Sequence, residues 1–208
     1  MRDLMAEKVI ETEKRKQRRM LSIGNQEQRL IKRLQDGDDS AAHEFYALYA
    51  DYLAAICSRY IPDENDMKDV FQDAFIHIFT HIGEFHNQGP GSLKAWSAKV
   101  VVNESLKFLR TKKRHEMVEL DFDKMDEAET DDPPISHIPP DIIYEMLSQL
   151  PNGYRTVLNL YVFEGMSHKE IAQLLGIKES SSASQLHRAK NQLAKLIREY
   201  NNQSILRQ

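Results

Sequence analysis

The chain has 208 residues, 29% of them charged and 41% hydrophobic, with a net charge of −4 and a mean hydropathy of −0.58. That length suits one large domain or two small ones. No apolar run approaches the roughly 18 residues of a membrane span, the charged N-terminus lacks the apolar stretch of a signal peptide, and a single cysteine, Cys57, excludes an internal disulfide, so a cytoplasmic protein is expected.

The first twenty-five residues hold seven bases and four acids with weak apolar periodicity and read as an N-terminal arm, a solvated tail in the plain reading. From residue 26 to 115 the pattern is helical almost throughout. Leu30, Ile31 and Leu34 begin a short helix that the Asp36-Gly37-Asp38 turn ends. Asp38 or Asp39 can cap the next helix, where Ala42, Phe45, Tyr46, Tyr49, Leu53 and Ile56 recur at helical spacing. Pro62 and Asp63 mark a boundary, and a third helix carries Phe71, Phe75, Ile78, Phe79 and Ile82 on one face. Residues 83–91, GEFHNQGPG, must form a loop. Ser92 can cap a fourth helix running to about Lys113. These segments make a bundle large enough for its own core.

Between Glu116 and Asp132 nine acids stand against one base, a local charge of −8, so the rest of the chain carries +4. With its prolines, the strip 116–140 cannot bury enough apolar surface to pack and reads as a flexible acidic linker. The helical pattern resumes over 141–202. Ile142, Ile143, Met146, Leu147 and Leu150 make one helix; Asn152 can cap a second, with Val157, Leu158, Leu160, Tyr161 and Phe163. Ser167-His168-Lys169-Glu170 is a capping box. Its helix stops at Gly176, and a last helix runs from near Lys178 to about Tyr200.

Residues 167–190 spell a helix-turn-helix: a short capped helix, a glycine turn and a longer basic helix. Ala172 permits a close crossing, Gly176 a left-handed turn, and Ile177 is expected to plug the core. Ser180, Ser181 and Ser184 allow close approach to a DNA groove, and Gln185, His187, Arg188 and Lys190 add reach to base edges or phosphates. A plain helical hairpin with a solvated face is the bland alternative.

Several segments together resemble the sigma factors of bacterial RNA polymerase, most of all the extracytoplasmic-function (ECF) group. They are Leu150-Pro151-Asn152-Gly153-Tyr154-Arg155-Thr156-Val157-Leu158, Gly165-Met166-Ser167, Glu170-Ile171-Ala172, Gly176-Ile177 and Leu186-His187-Arg188-Ala189 in the C-terminal part. In the N-terminal part they are Asp69-Val70-Phe71-Gln72-Asp73-Ala74-Phe75, Trp96 to Asn103 and Phe108-Leu109-Arg110. The resemblance implies an all-α fold of two helical domains: a sigma2-type bundle over 26–115 and a sigma4-type helix-turn-helix over 141–202, joined by the acidic linker. It implies promoter recognition, promoter melting and transcription initiation as a dissociable polymerase subunit, with no enzymatic activity, cofactor or bound metal of its own. The expected partners are core RNA polymerase through its beta and beta' subunits, promoter DNA in duplex and single-stranded form, and an anti-sigma factor or other recruiting protein.

The site residues follow the same resemblance. Asp69, Gln72, Asp73 and Ile76, opposite the buried phenylalanines, would dock on core polymerase. Phe85, Asn87, Gln88 and Ser92 would meet a flipped minus-ten base. Trp96, Asn103, Lys107, Arg110, Lys113 and Arg114 would face single-stranded DNA, where aromatics stack bases and cations pair phosphates. Core packing is the alternative for Trp96, and a solvated helix end for the bases. Ser180, Ser181, Ser184, Gln185, His187, Arg188 and Lys190 would read the minus-thirty-five element. Ala183, Gln185 and Ser182 depart from the basic residues and valine common there, which leaves the strength of that reading open. Two other readings stand beside this one. A helix-turn-helix regulator outside the polymerase would share the C-terminal motif. Asp69, Asp73, His77 and His81 step by four along one helix, a spacing metals use, but no second ligand cluster accompanies them.

Overall fold

The computed structural model describes residues 24–115, 133, 135 and 138–206, and the described residues are helical with no strand. The acidic strip 116–132 and residues 1–23 lie outside them. Among the described residues eight α-helices follow in order: α1 (24–35), α2 (Asp39–Tyr60), α3 (Glu64–His81), α4 (Ser92–His115), α5 (Pro140–Ser148), α6 (Asn152–Val162), α7 (His168–Leu175) and α8 (Glu179–Leu206). A 3-10 turn, Ile82–Glu84, opens the loop after α3. Two compact units emerge, one from residues 24–57 and 68–104, the other from 58–67 and 105–206.

In the first unit the apolar stripes of four helices meet. Leu30, Ile31 and Leu34 of α1, Phe45 and Leu53 of α2, Ala74, Phe75 and Ile78 of α3, and Leu93 and Val101 of α4 are all buried. Phe45 is the hub, with its ring 5.9 Å from that of Phe75 and 5.7 Å from that of Phe79 in edge-on arrangements. Burying each such side chain contributes about 1.5–3 kcal/mol. Cys57 lies in this core. Tyr46, expected on the apolar face of α2, is instead 53% exposed, though its ring reaches Phe75 at 5.2 Å.

Local chemistry sets the helix starts. The Asp38 carboxylate accepts from the Ser40 amide at 2.9 Å and the Ser40 hydroxyl at 2.6 Å, and from Arg33 Nε at 2.8 Å. These partners, Ser40 first, hold its carboxyl down to about 2. Gly37, with φ 77°, makes the preceding turn. In the second unit Asp63 caps α3 by accepting from the amides of Asn65 and Asp66 at 3.0 and 2.9 Å.

The start of α4 departs from expectation. Ser92 is the first helical residue rather than the cap, and its hydroxyl accepts from the Gln88 amide and donates to Asn87. The amides of Gly91 and Leu93 are taken by the carboxylate of Glu27, a buried residue of α1. A carboxylate suits this place because a helix N-terminus carries unpaired amides and partial positive charge. The arm also ends earlier than expected, since residues 24 and 25 already belong to α1.

The second unit is built around α8. Val157, Leu160, Ile171, Leu186 and Ala189 are buried where α6, α7 and α8 meet. Farther along α8, Ile138, Met146 and Ile197 form a second cluster with Ile142, Ile143, Leu193 and Leu196 against it. Arg155, 3% exposed, is the buried polar centre. Its guanidinium donates to the carbonyls of Tyr60, Ser148 and Leu150 and to Asn152 Oδ1. Burial lowers its pKa to about 10. Beside it Asn159 Nδ2 donates to the Arg59 carbonyl at 2.8 Å. Arg59 pairs with Glu164 at 3.4 Å and lies over the Phe163 ring, 4.2 Å from its centroid.

Three expectations change here. Pro151, not Asn152, occupies the cap position of α6, and Asn152 turns its side chain to Arg155. Tyr161 and Phe163, expected in the core, are 39% and 48% exposed. The last helix continues to Leu206.

Candidate nucleic-acid interface

The helix-turn-helix forms from local signals. At Ser167 the hydroxyl accepts from the Glu170 amide and the Glu170 carboxylate accepts from the Ser167 amide at 2.8 Å, a complete capping box. The bonds from Ser167 pull the Glu170 carboxyl below its ordinary value. Gly176, with φ 67° and ψ 35°, ends α7 in the left-handed conformation that a side chain would disfavour. The Ile177 amide returns to the Ala172 carbonyl at 3.0 Å. Ala172 is buried at the crossing, while Ile177 remains partly exposed rather than filling the core.

The first turns of α8 present a polar face. Ser180, Ser184, His187 and Lys190 are exposed, with Ala183 among them. Their spacing of three and four puts them on one side of the helix. Ser184 Oγ donates to the Ser181 carbonyl at 3.1 Å, and His187 Nε2 lies 3.2 Å from Asn191 Nδ2. Ser181, Gln185 and Arg188 are only partly exposed. Gln185 lies so close to Gly153 that a Cβ there would come within 2.7 Å of its Oε1. Arg188 Nη1 reaches the Tyr154 hydroxyl at 3.4 Å. Ser182 is fully buried and bonds His168 Nδ1 at 3.0 Å. The His168 ring stacks on that of Tyr161 at 4.8 Å. That serine ties the two helices together, a role the hydropathy pattern gives no sign of.

In the first unit Asp69, Gln72, Asp73 and Ile76 are all exposed on α3, opposite buried Val70, Ala74, Phe75 and Ile78. Ile76, 57% exposed, is an apolar residue left open in an acidic surface. On the same helix His77 Nδ1 lies 3.0 Å from Glu104 Oε1, and His81 Nδ1 lies 2.9 Å from the His77 carbonyl.

The loop after α3 is ordered by side chains from α1 and from itself. Gln35 Nε2 donates to the carbonyls of Ile82 at 3.0 Å and Phe85 at 2.9 Å. Asn87 Oδ1 accepts from the Gly89 amide at 2.8 Å and the Ser92 hydroxyl at 3.0 Å, and Gln88 is exposed. Phe85 is partly buried, its ring 5.1 Å from that of Trp96, which is itself partly exposed. Trp96 thus packs and remains reachable at once. Along α4, Asn103, Lys107 and Arg110 are exposed. The side chains of Lys113 and Arg114 lie outside the described residues.

The sequence pattern does not single out Glu27 or Gln35. A signal exists for Glu27: it sits three residues before Leu30 on the apolar face of its helix, where a carboxylate needs a partner.

Comparison with known proteins gives these surfaces a context. The family description "Sigma-70 region 2" matches residues 45–115 and "Sigma-70, region 4" matches residues 141–193. Similar proteins include the RNA polymerase sigma-H factor of Pseudomonas aeruginosa, 25% identical over 83% of this chain and 94% of that one. The ECF RNA polymerase sigma-E factor of Escherichia coli is 25% identical over 83% of this chain and 96% of its own. A solved structure of a sigma factor in complex with the anti-sigma factor NepR from Bartonella quintana is similar at 19% identity and a TM-score of 0.46, over 75% of this chain and 96% of that one. Two sigma-70 regions in order, the second falling on the capped helix-turn-helix, place this chain in the ECF group of bacterial RNA polymerase sigma factors.

Proposed function

We propose a division of labour within a sigma factor that directs core RNA polymerase to promoters and supports transcription initiation. The observation that carries it is the pairing of the two matched sigma-70 regions with two surfaces of different chemistry. The exposed stripe Asp69, Gln72, Asp73 and Ile76 docks on core polymerase, its acids supplying attraction and Ile76 an apolar anchor. The loop residues Phe85, Asn87, Gln88 and Ser92, with Trp96 and Asn103, take the unpaired minus-ten strand. Lys107, Arg110, Lys113 and Arg114 neutralise its phosphates. The exposed face of α8 reads the minus-thirty-five duplex through Ser180, Ser184 and His187, with Lys190 on phosphate, while Ser181, Gln185 and Arg188 support it from the edge.

The functional boundaries we propose are a minus-ten and core-binding module over 26–115 and a minus-thirty-five module over 141–202, with the acidic strip 116–140 as connection. The chain acts in the cytoplasm, where core polymerase is, and no described helix is long and apolar enough to cross a membrane. An anti-sigma factor is the expected regulator, as membership of the ECF group implies. The bond-making chemistry of RNA synthesis belongs to core polymerase. Run-off transcription by core polymerase with and without this chain, on a genomic promoter library, tests the assignment. Promoter-specific transcripts that depend on the chain are expected. Duplex binding without any core-dependent transcript would make the chain a regulator outside the polymerase.

A further inference from the structure

The region 2 match begins at residue 45 and leaves α1 unassigned. Yet α1 is tied to the loop 82–91 at both ends of that loop. Gln35 donates to the carbonyls of Ile82 and Phe85, where the loop begins. Glu27, 6% exposed, accepts from the amides of Gly91 and Leu93, where it ends. At the start of α1, Gly24 abuts Pro90 so closely that a Cβ would lie 3.0 Å from the proline ring. The twelve residues of α1 make a helix about 18 Å long, so one rod carries all of these ties.

Between these ties lies a cleft of about 540 Å³ whose lining includes Gln28, Arg29 and Lys32 of α1 together with Phe85 and Asn87 of the loop. Its volume suits one small polar ligand. The lining offers an aromatic ring, amides and two cations, the set that a nucleotide needs for its base face, base edge and phosphate. Phe85 is backed by Trp96, which fixes the ring. Asn87 spends its oxygen on the loop, and its amide nitrogen makes no bond among the described residues.

We propose that α1 is the second wall of the minus-ten site: Glu27 and Gln35 are positioning residues that set the loop, and Gln28, Arg29 and Lys32 contact one unpaired deoxynucleotide seated against Phe85. This rests on the assignment of the loop to the minus-ten strand. The cations give affinity without sequence preference, whereas Gln28 and Asn87 choose the base.

The test uses holoenzyme assembled from core polymerase and the full chain, and a random-sequence single-stranded DNA pool as probe. Bound molecules are sequenced and binding is measured across a salt series. Arg29 and Lys32 are exposed, so their replacement does not threaten the fold. The double variant R29A/K32A should bind the pool about tenfold more weakly. Its log–log salt slope should flatten by about 0.7 for each phosphate that no longer has a cation beside it, with base preference unchanged. Q28A should bind nearly as well but flatten the preference at one position. Q35A should do both, and Q35E should not rescue it, because a carboxylate cannot donate to the Ile82 and Phe85 carbonyls. Unchanged affinity and slope in R29A/K32A, with unchanged preference in Q28A, would overturn the role of α1 while promoter-dependent transcription by the wild-type chain stands. A wild-type holoenzyme that initiates nowhere removes the underlying assignment instead.

Discussion

Replacing Arg155 with alanine is expected to be the most damaging single change in the second unit. Arg155 is 3% exposed and its guanidinium makes five hydrogen bonds, four of them to backbone carbonyls of Tyr60, Ser148 and Leu150. Alanine removes every donor at once. The bonds to Tyr60 and Leu150 are buried, and each stranded carbonyl costs about 1–3 kcal/mol. The bond to Ser148 is partly buried and its removal costs less. The sum is about 3–5 kcal/mol, in line with breaking a buried charged network. Against a usual domain stability of about 5–15 kcal/mol, this leaves the unit marginal. R155K keeps the charge but not the fork, and its ammonium cannot span carbonyls on separate segments, so about half the loss is expected. Urea titration followed by far-UV circular dichroism gives the midpoints, and amide hydrogen exchange at Val157, Leu158 and Leu160 localises the change. The order wild type, R155K, R155A should hold in both. If R155A falls within about 1 kcal/mol of wild type, water replaces the guanidinium at these carbonyls and the network does not carry the stability assigned to it.

Other outcomes follow from the same structure. S167A removes the capping hydroxyl of α7 and should cost about 1 kcal/mol, read from the thermal midpoint. The Glu170 carboxyl lies below its ordinary value of 4.5, so the contribution of the box is complete above about pH 4.5 and is lost as pH falls through the folded value. An NMR titration of Glu170 should show this depression in wild type and its loss in S167A. Joint replacement of Asp69, Gln72 and Asp73 by alanine should weaken core polymerase binding in a fluorescence titration without loss of helicity, since all three are exposed. Ala183 is exposed on the reading face of α8, so A183R should tighten duplex binding and steepen its salt slope by about 0.9 for one more neutralised phosphate. An unchanged slope would place residue 183 away from the DNA backbone.

The features legible in the sequence are those that depend on near neighbours. The Ser167–Glu170 box spans four residues and Gly176 acts within one turn, so both form as their spacing implies. The apolar stripe of α3 likewise sorts Phe75 and Ile78 from Asp69 and Asp73 by helical period alone. Residues whose partners are remote are less legible. Glu27 bonds amides 64 and 66 positions away, and Gln35 bonds carbonyls 47 and 50 positions away. Arg155 can be noticed within Pro151–Leu158, but its Tyr60 acceptor lies 95 positions upstream. Periodicity also overstates burial at the end of α6: Tyr161 and Phe163 continue its apolar pattern but remain 39% and 48% exposed, one meeting the His168 ring and the other the Arg59 guanidinium. Ser182 errs the other way, a polar residue wholly buried because His168 bonds it.

Cys57 offers a practical consequence. The chain has one thiol, and it is fully buried in the first unit. A thiol-directed reagent therefore has no target until that core opens. Its reaction rate under native conditions becomes a clock for opening, measurable at one atom without any engineered probe. The same concealment lets a cysteine placed at exposed Ser184 or Gln88 carry a dye on the otherwise unaltered chain. Arrival of each surface at DNA or polymerase could then be timed in separate preparations of a single labelled molecule.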